Sequence, residues 1–318
     1  QHVRLACDED GVLTGLGHEC LVSNLPEEEF YEPVTQATHF IYGGKNRKLG
    51  IEVARVNRTC GGSVRAPGEA VGMQVLENAM DELAEAAGID PVELRRRNVP
   101  GRHPEQDIPY SSRRFIDALD EGAKLFEWDK RNRTPGALRE GDWLIGHGMA
   151  GAARVNILSE AKARVTLRAD GTAVVETDMT DIGTGTYALG LPANKVDTKL
   201  GDTDFPAGPG SGGSWGASSA GSAVFLACEE IRKKLAEKLG SDEADLALAD
   251  GKAGTGDSLR PYSDILDDQE ISALGHIEPG QTLEDLQQAT YGSYFAEVAV
   301  NAVNGETRVR RMLGVFGA

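Results

Sequence analysis

Residues 64–98 read VRAPGEAVGMQVLENAMDELAEAAGIDPVELRRRN. Gly72, Leu76, Ala79, Met80, Leu83 and Ala87 recur at steps of three and four, the period of a helix with one apolar face. Glu77, Asp81, Glu82 and Glu85 fall mostly elsewhere on that cylinder. Gly88 supplies a stop, because glycine tolerates the left-handed backbone that closes a helix. Asp90-Pro91-Val92-Glu93 then starts a second helix, with Asp90 as N-cap, Pro91 at the first helical position and Glu93 as reciprocal cap. Arg95-Arg96-Arg97 sits at its far end, where solvated cations complement the helix dipole.

Working outward, three hairpins flank these helices. One runs from His2 to Val22 with Asp10-Gly11 at its turn. A second pairs Ala163–Leu167 with Thr172–Thr177 across Asp170-Gly171, where apolar Ala163, Val165 and Leu167 alternate with Arg164 and Thr166. The third pairs Tyr294–Val300 with Thr307–Val315 around Asn304-Gly305, a dipeptide suited to a type I′ turn. Ser112 is placed to cap a helix carrying Phe115, Leu119 and Phe126. A further helix spans about Ser219 to Leu239, with Val224, Ala227, Ile231 and Leu235 as its stripe. Strands in hairpins and helices in groups give an α+β fold, antiparallel hairpins with packed helices. Polar connectors occupy 100–109 and 131–141, and the second marks a division into residues 1–135 and 136–318.

The chain has 318 residues and a net charge of −17. Such acidity repels phosphate backbones, so no nucleic-acid partner is expected. No apolar run approaches the roughly 20 residues of a membrane span, so no membrane span is expected. Cysteines at 7, 20, 60 and 228 form no CxxC and no zinc-spaced cluster with histidine, so no metal ligand is named. The histidines at 2, 18, 39, 103, 147 and 276 lack HxxH or HExxH spacing and read as surface or strand residues. Gly-Ser-Gly-Gly-Ser around Ser211 is no nucleophile elbow.

Two segments carry chemistry. Residues 61–70, GGSVRAPGEA, run a glycine-rich loop with one arginine into a helix N-terminus, where unpaired N–H donors suit an anion. The same residues also make an ordinary strand-to-helix turn. Residues 181–187, DIGTGTY, and 208–219, GPGSGGSWGASS, mix glycine with hydroxyls, and the second leads into a helix. That combination fits a pyrophosphate and a nucleotide ring, and it fits plain surface loops as well. Neither segment is a GxGxxG or a GxxxxGK[ST] motif.

Three stretches in this order, Val64–Asn98, TDMTDIGTGTY (Thr177–Tyr187) and LGDTDFPAGPGSGGSWGASSAGSAV (Leu200–Val224), resemble the molybdopterin-binding large subunit of the xanthine dehydrogenase and aldehyde oxidase family. The bacterial aldehyde-oxidising members are the nearest in pattern. The resemblance implies a fold of the molybdenum-cofactor-binding type, with 1–135 ending a first such domain and 136–318 beginning a second. It implies a molybdenum-molybdopterin cytosine dinucleotide cofactor, and [2Fe–2S] and FAD groups on partner subunits. The implied reaction oxidises an aldehyde or N-heterocycle with oxygen drawn from water.

By position, the resemblance makes Arg65 the catalytic arginine and sets Ala66 against the pterin. It brings Gly183, Thr184, Gly185 and Thr186 to the phosphates and nucleotide. Ser211, Gly212, Gly213, Ser214, Ser218 and Ser219 form the facing wall, and the two loops are expected across one cleft. The family's GGGFGGK-type loop and its GVGE motif, which carries the catalytic glutamate, do not occur in these residues. A helix of the family is shortened between Tyr187 and Leu191. The expectation is a central portion of a longer subunit, with no turnover by these residues alone. A non-catalytic structural or assembly role is the alternative. A separate small nucleotide-binding protein is a third reading. The compartment stays open between bacterial cytoplasm and periplasm.

Overall fold

The computed structural model describes residues 1–179, 191–210, 212–256 and 258–317. They form two compact units, Gln1–Val155 with Glu284–Ala318, and Asn156–Leu283.

Unit 1 begins with β1 (His2–Cys7), β2 (Leu13–Asn24) and β3 (Asn46–Arg55). The first hairpin forms as expected, with Leu5 opposite Leu16 and a register shift at Ala6/Cys7. Strand β3, which no hairpin or alternation signal announces, runs parallel to β2. Helices α1 (Glu69–Ala87), α2 (Pro91–Arg97) and α3 (Phe115–Phe126) follow, then β4 (Arg139–Glu140) and β5 (Trp143–Val155). The connector at 131–141 does not separate the units, because β5 beyond it belongs to unit 1.

The α1 stripe buries Leu76 and Met80, and Gly88 closes the helix in the left-handed region. Asp90 caps α2 by accepting from the Val92 and Glu93 N–H groups. Glu93 does not return the cap. Its carboxylate pairs instead with Arg96 and Arg97 one turn on. Ser112 does not cap α3 either. The N-cap there is Arg114, with no side-chain hydrogen bond.

The larger correction concerns Glu77 and Arg95. Glu77 is buried, not on the solvent side of α1, and Arg95 is fully buried, not solvated. Arg95 Nε donates to Glu77 Oε2 at 2.7 Å, and Tyr42 Oη donates to Glu77 Oε1 at 2.7 Å. A buried charge is tolerable only when paired and hydrogen-bonded, and this one is.

Unit 2 contains β6 (Ala161–Leu167), β7 (Ala173–Thr177), β8 (Val196–Leu200), α4 (Gly216–Leu239), β9 (Leu246–Ala249), β10 (Lys252–Thr255), β11 (Ser258–Pro261), α5 (Tyr262–Leu266) and β12 (Ile271–Ile277). The β6–β7 hairpin turns at Asp170-Gly171 as expected. One sheet runs β12-β6-β7-β8, with β7 and β8 parallel, and β9 to β11 form a second small sheet. Helix α4 begins at Gly216, earlier than the expected Ser219. Its stripe of Val224, Ala227, Ile231 and Leu235 packs on Ala163, Val165 and Ala273. The approach is close: a Cβ on Gly275 of β12 would lie 1.9 Å from the Ala223 carbonyl oxygen.

The chain then returns to unit 1 as β13 (Ala289–Asn301) and β14 (Thr307–Gly317), in the sheet order β14-β13-β5-β4. Only Gly305 in their connection has positive φ, 74°, so the type I′ turn does not form. Asn301 Oδ1 instead accepts from the Val303 and Asn304 N–H groups. Phe295 and Tyr291 of β13 join Phe115, Phe126 and the α1 residues in the unit 1 core. Among the described residues no helix is long and apolar enough to cross a membrane.

Two histidines lie deeper than a surface position. His103, in the connector 100–109, is buried and accepts at Nδ1 from the Glu105 and Gln106 N–H groups. His18 on β2 is fully buried, with Nδ1 2.9 Å from Thr38 Oγ1 and Nε2 3.0 Å from Gln1 Oε1. Burial, then the charges of the amino terminus and His39, push His18 from 6.5 down to about 4. The unfolded chain therefore takes up this proton first. The His18 contribution is whole above about pH 6.5 and is lost as pH falls towards 4, by at most about 3 kcal/mol. Urea titrations at neutral pH and near pH 4.5 should show this slope, flattened in His18→Gln. An equal slope in the variant would assign the acid loss to other groups.

Candidate functional site: two glycine-rich helix entries

In unit 1 the segment 61–68 is anchored by Asn24, a buried residue at the end of β2. Its side chain accepts from the Gly61 N–H at 2.9 Å and donates to the Gly61 carbonyl at 3.0 Å. Past this clamp the loop is exposed through Arg65, and Arg65 makes no hydrogen bond or ion pair among the described residues. Ala66 has φ 45°, in the left-handed region that a side chain rarely adopts. Such strain persists only where its surroundings impose it, and it marks functional turns.

Gly68 follows at φ 82° and is the α1 N-cap. Its N–H donates to Glu32 Oε1 at 2.5 Å, and a Cβ there would lie 2.2 Å from the Pro33 carbonyl oxygen. Only glycine fits. The N-cap glycine has no side chain to cap α1, and the Ala70 N–H closes back on the Ala66 carbonyl at 3.0 Å, while the positive end of the helix dipole faces the turn. Glu69, one residue in, is buried and pairs with Arg154 at 2.5 Å, while its Oε2 is buried with no partner.

In unit 2 the α4 entry is tied down from behind. Asp178 N–H donates to the Pro206 carbonyl at 2.9 Å, Lys162 N–H to Ala207 at 2.7 Å, and Gly208 N–H to Asp178 Oδ1. Trp215 Nε1 donates to the Pro209 carbonyl at 2.8 Å. Gly210, Gly213 and Ser214 all take positive φ, at 67°, 45° and 58°. Gly212 and Ser214 are exposed, and Trp215 provides no side-chain cap for α4.

The expected residues divide here. Gly212, Gly213 and Ser214 shape the exposed loop. Ser218 Oγ donates to the Trp215 carbonyl at 3.1 Å and to Ile157 at 3.4 Å. Ser219 is fully buried, and its Oγ accepts from the Ser159 N–H at 2.9 Å. These two hydroxyls hold the segment 157–159 against α4. Gly183, Thr184, Gly185, Thr186 and Ser211 lie outside the described residues, and so does the expected facing of the two loops. The sequence reading missed the Asn24 clamp and the Glu69–Arg154 pair, which join residues far apart in the chain. It also named no metal ligand. Among the described residues, ligand atoms of exposed Glu160, His276 and Glu278 lie within 4.8 Å of one another, with Lys162 3.4 Å from Glu160.

Two family models, each described as a molybdopterin cofactor-binding domain, match residues 1–99 and 121–317. The aldehyde oxidoreductase molybdenum-binding subunit PaoC of Escherichia coli K12 is 42% identical over 328 residues, covering 100% of this chain and 45% of PaoC. The aldehyde oxidoreductase of Megalodesulfovibrio gigas is 29% identical over 338 residues, covering 98% of this chain and 36% of the relative. Quinoline 2-oxidoreductase from Pseudomonas putida 86 shares the fold, with TM-score 0.81 at 19% identity over 98% of this chain and 46% of that one. The chain spans less than half the length of these relatives. With both parts of the sequence matched, the chain belongs to the molybdopterin cofactor-binding domain family.

Proposed function

We propose that this chain is the cofactor-binding portion of a molybdenum hydroxylase that oxidises aldehydes or N-heterocycles with oxygen drawn from water. The observation that carries this reading is the turn at 65–68. It holds a strained Ala66 and an obligatory Gly68, and it leaves the Arg65 guanidinium without a protein partner at the uncapped start of a 19-residue helix.

The donor set fits the cofactor. Backbone amides at glycine-rich helix entries bind phosphates without a lysine, and the left-handed backbone at Gly213 and the exposed Ser214 turns amides of this loop outward. When bound, the cofactor supplies the metal centre that accepts two electrons from the substrate. The chain's residues do the rest. Arg65 orients the substrate and steadies negative charge developing on its oxygen. Ala66 lies against the pterin. Gly212, Gly213, Ser214 and Ser218, with Ser211 and Gly183 to Thr186, hold the dinucleotide, in its cytosine form. Ser219 acts from behind, through the segment it anchors.

We assign 1–135 to the end of a first cofactor-binding domain and 136–318 to the start of a second. The two family matches support a pair of domains in this order. Iron–sulfur and FAD subunits would carry the electrons away. The description of PaoC as a molybdenum-binding subunit supports such partners. The alternative, a non-catalytic structural or assembly piece, draws on the 45% coverage of PaoC.

The test is production in a host that makes the cytosine dinucleotide cofactor, followed by assay of molybdenum and of CMP released by acid. Stoichiometric amounts of both are expected. Molybdenum without CMP would overturn the dinucleotide form. Neither, in a folded sample, would favour the non-catalytic alternative.

A further inference from the structure

Unit 1 holds a cleft of about 510 Å3 beside the C-terminal end of α3 and the strands β5, β13 and β14. That volume is in the range of small-ligand sites. His147 of β5 and Glu297 of β13 stand opposite each other in the ladder and both line it. His147 Nε2 is 3.1 Å from Glu297 Oε2, and the His147 side chain is 9% exposed. Its other nitrogen, Nδ1, is buried with no hydrogen-bond partner. An unmet buried polar atom is costly, and native structures keep few of them. The carboxylate fixes one side of the ring and leaves the other for something else.

Cations surround the same space. Lys130, Arg131 and Arg311 line it, against the carboxylates of Glu127 and Glu297. Three cations close together are notable in a chain of net charge −17. Lys130 pairs with Glu127, Arg131 with Asp90 at 2.5 Å, and Arg311 lies 3.9 Å from Glu297 Oε2, yet each guanidinium keeps N–H donors that these partners do not use. The Arg131 guanidinium lies 3.8 Å over the Trp128 ring and uses two of its nitrogens on Asp90 and the Trp128 carbonyl. That of Arg311 lies 4.0 Å over the Phe126 ring, and its Nη2 donates to the Phe126 carbonyl at 3.1 Å. A guanidinium carries five N–H donors in a plane that matches an oxyanion. Stacking fixes both planes in advance, which lowers the entropy lost on binding.

We propose that this cleft, lined by none of the residues assigned to the cofactor, is a binding site for a small oxyanion, a carboxylate or a phosphate. Arg131 and Arg311 hold its charge, and His147 Nδ1 meets one of its oxygens. A protonated ring donates from Nδ1 to a bare oxygen. A neutral ring accepts there from the hydroxyl of hydrogen phosphate.

The experiment is calorimetric titration of the 318-residue chain at constant ionic strength, with inorganic phosphate and with benzoate as separate probes. At least one is expected to bind with Kd of about 1 mM or tighter, and His147→Gln and Arg311→Met are each expected to weaken it about tenfold. Binding of benzoate alone identifies the ligand as a carboxylate, and of phosphate alone as a phosphate ester or ion. Arg311 is on the surface strand β14, so its variant keeps the test valid if His147→Gln unfolds. No heat from either probe up to about 10 mM overturns the proposal. So does binding indifferent to both substitutions, which would mark an adventitious ion only.

Discussion

Glu77→Ala is expected to destabilise unit 1 by about 3–5 kcal/mol, the usual cost of removing one partner from a buried ion pair. The Glu77 carboxylate accepts from Tyr42 Oη, Arg95 Nε and the Gly151 N–H, the last at 2.5 Å. It thus joins α1 to α2, to β5 and to the segment before β3. Burial, then the neighbouring Glu77 charge, pushes the Tyr42 hydroxyl well above its ordinary value, so it stays a proton donor. Burial opposes the charge on Arg95, but Glu77, Tyr42 and Asp81 together hold it above its ordinary value. Burial likewise raises the Asp81 carboxyl, in spite of Arg95 at 2.8 Å. Asp81 is therefore a poor substitute for Glu77, and the truncation strands a buried guanidinium. Replacing both charges, as Glu77→Leu with Arg95→Met, should recover most of the loss, since apolar replacement of a whole pair is often neutral. Urea denaturation of the three proteins decides. A single-mutant loss under about 1 kcal/mol would mean that water reaches Arg95 in the native state.

Arg65→Ala, made in an enzyme containing this chain with its full complement of subunits, is expected to lower kcat/KM for an aldehyde about 10²–10³-fold. Molybdenum content should hardly change, because the guanidinium is assigned to the substrate and not to the cofactor phosphates. Stability should move by no more than about 0.5 kcal/mol, as for surface substitutions generally, since Arg65 is exposed and without a partner. Arg65→Lys keeps the charge but loses the planar fork, and should recover only part of the rate. If Arg65→Ala lost its molybdenum while keeping its rate per metal, the residue would hold the cofactor instead.

Local chemistry was readable in the sequence; pairing across distance was not. The α1 period, the Gly88 stop and the Asp90 cap each depend on neighbours within a turn, and each forms. The three hairpins depend on short connections and also form. Strands β3 and β8 pair in parallel with strands reached through long crossovers, and nothing in the residues 46–55 names β2 as their partner. Arg95 shows the same limit from another side. Three consecutive arginines read as a solvated cluster. Only Glu77 and Asp81, more than a dozen residues earlier, reveal that the first of them points inward. The turn at 65–68 was legible as a glycine-rich helix entry. Its Asn24 clamp was not, because a single asparagine at a strand end has no periodic or motif signature.

Strand β5 has β13 along its whole length, Val155 opposite Ala289 and Trp143 opposite Asn301. All of unit 2 lies within the connection between them. During synthesis, β5 therefore leaves the ribosome while its main partner has not yet been made. At 5–20 residues per second the wait is roughly ten seconds. For that time a strand of 13 residues, rich in glycine and alanine, has only the two-residue β4 beside it. An open edge of that kind invites pairing with another chain. Early collapse of unit 2 would shorten the effective loop that β13 must close. Yield in the cell should then depend on how quickly residues 156–283 fold, even though the sheet at risk lies entirely in the other unit.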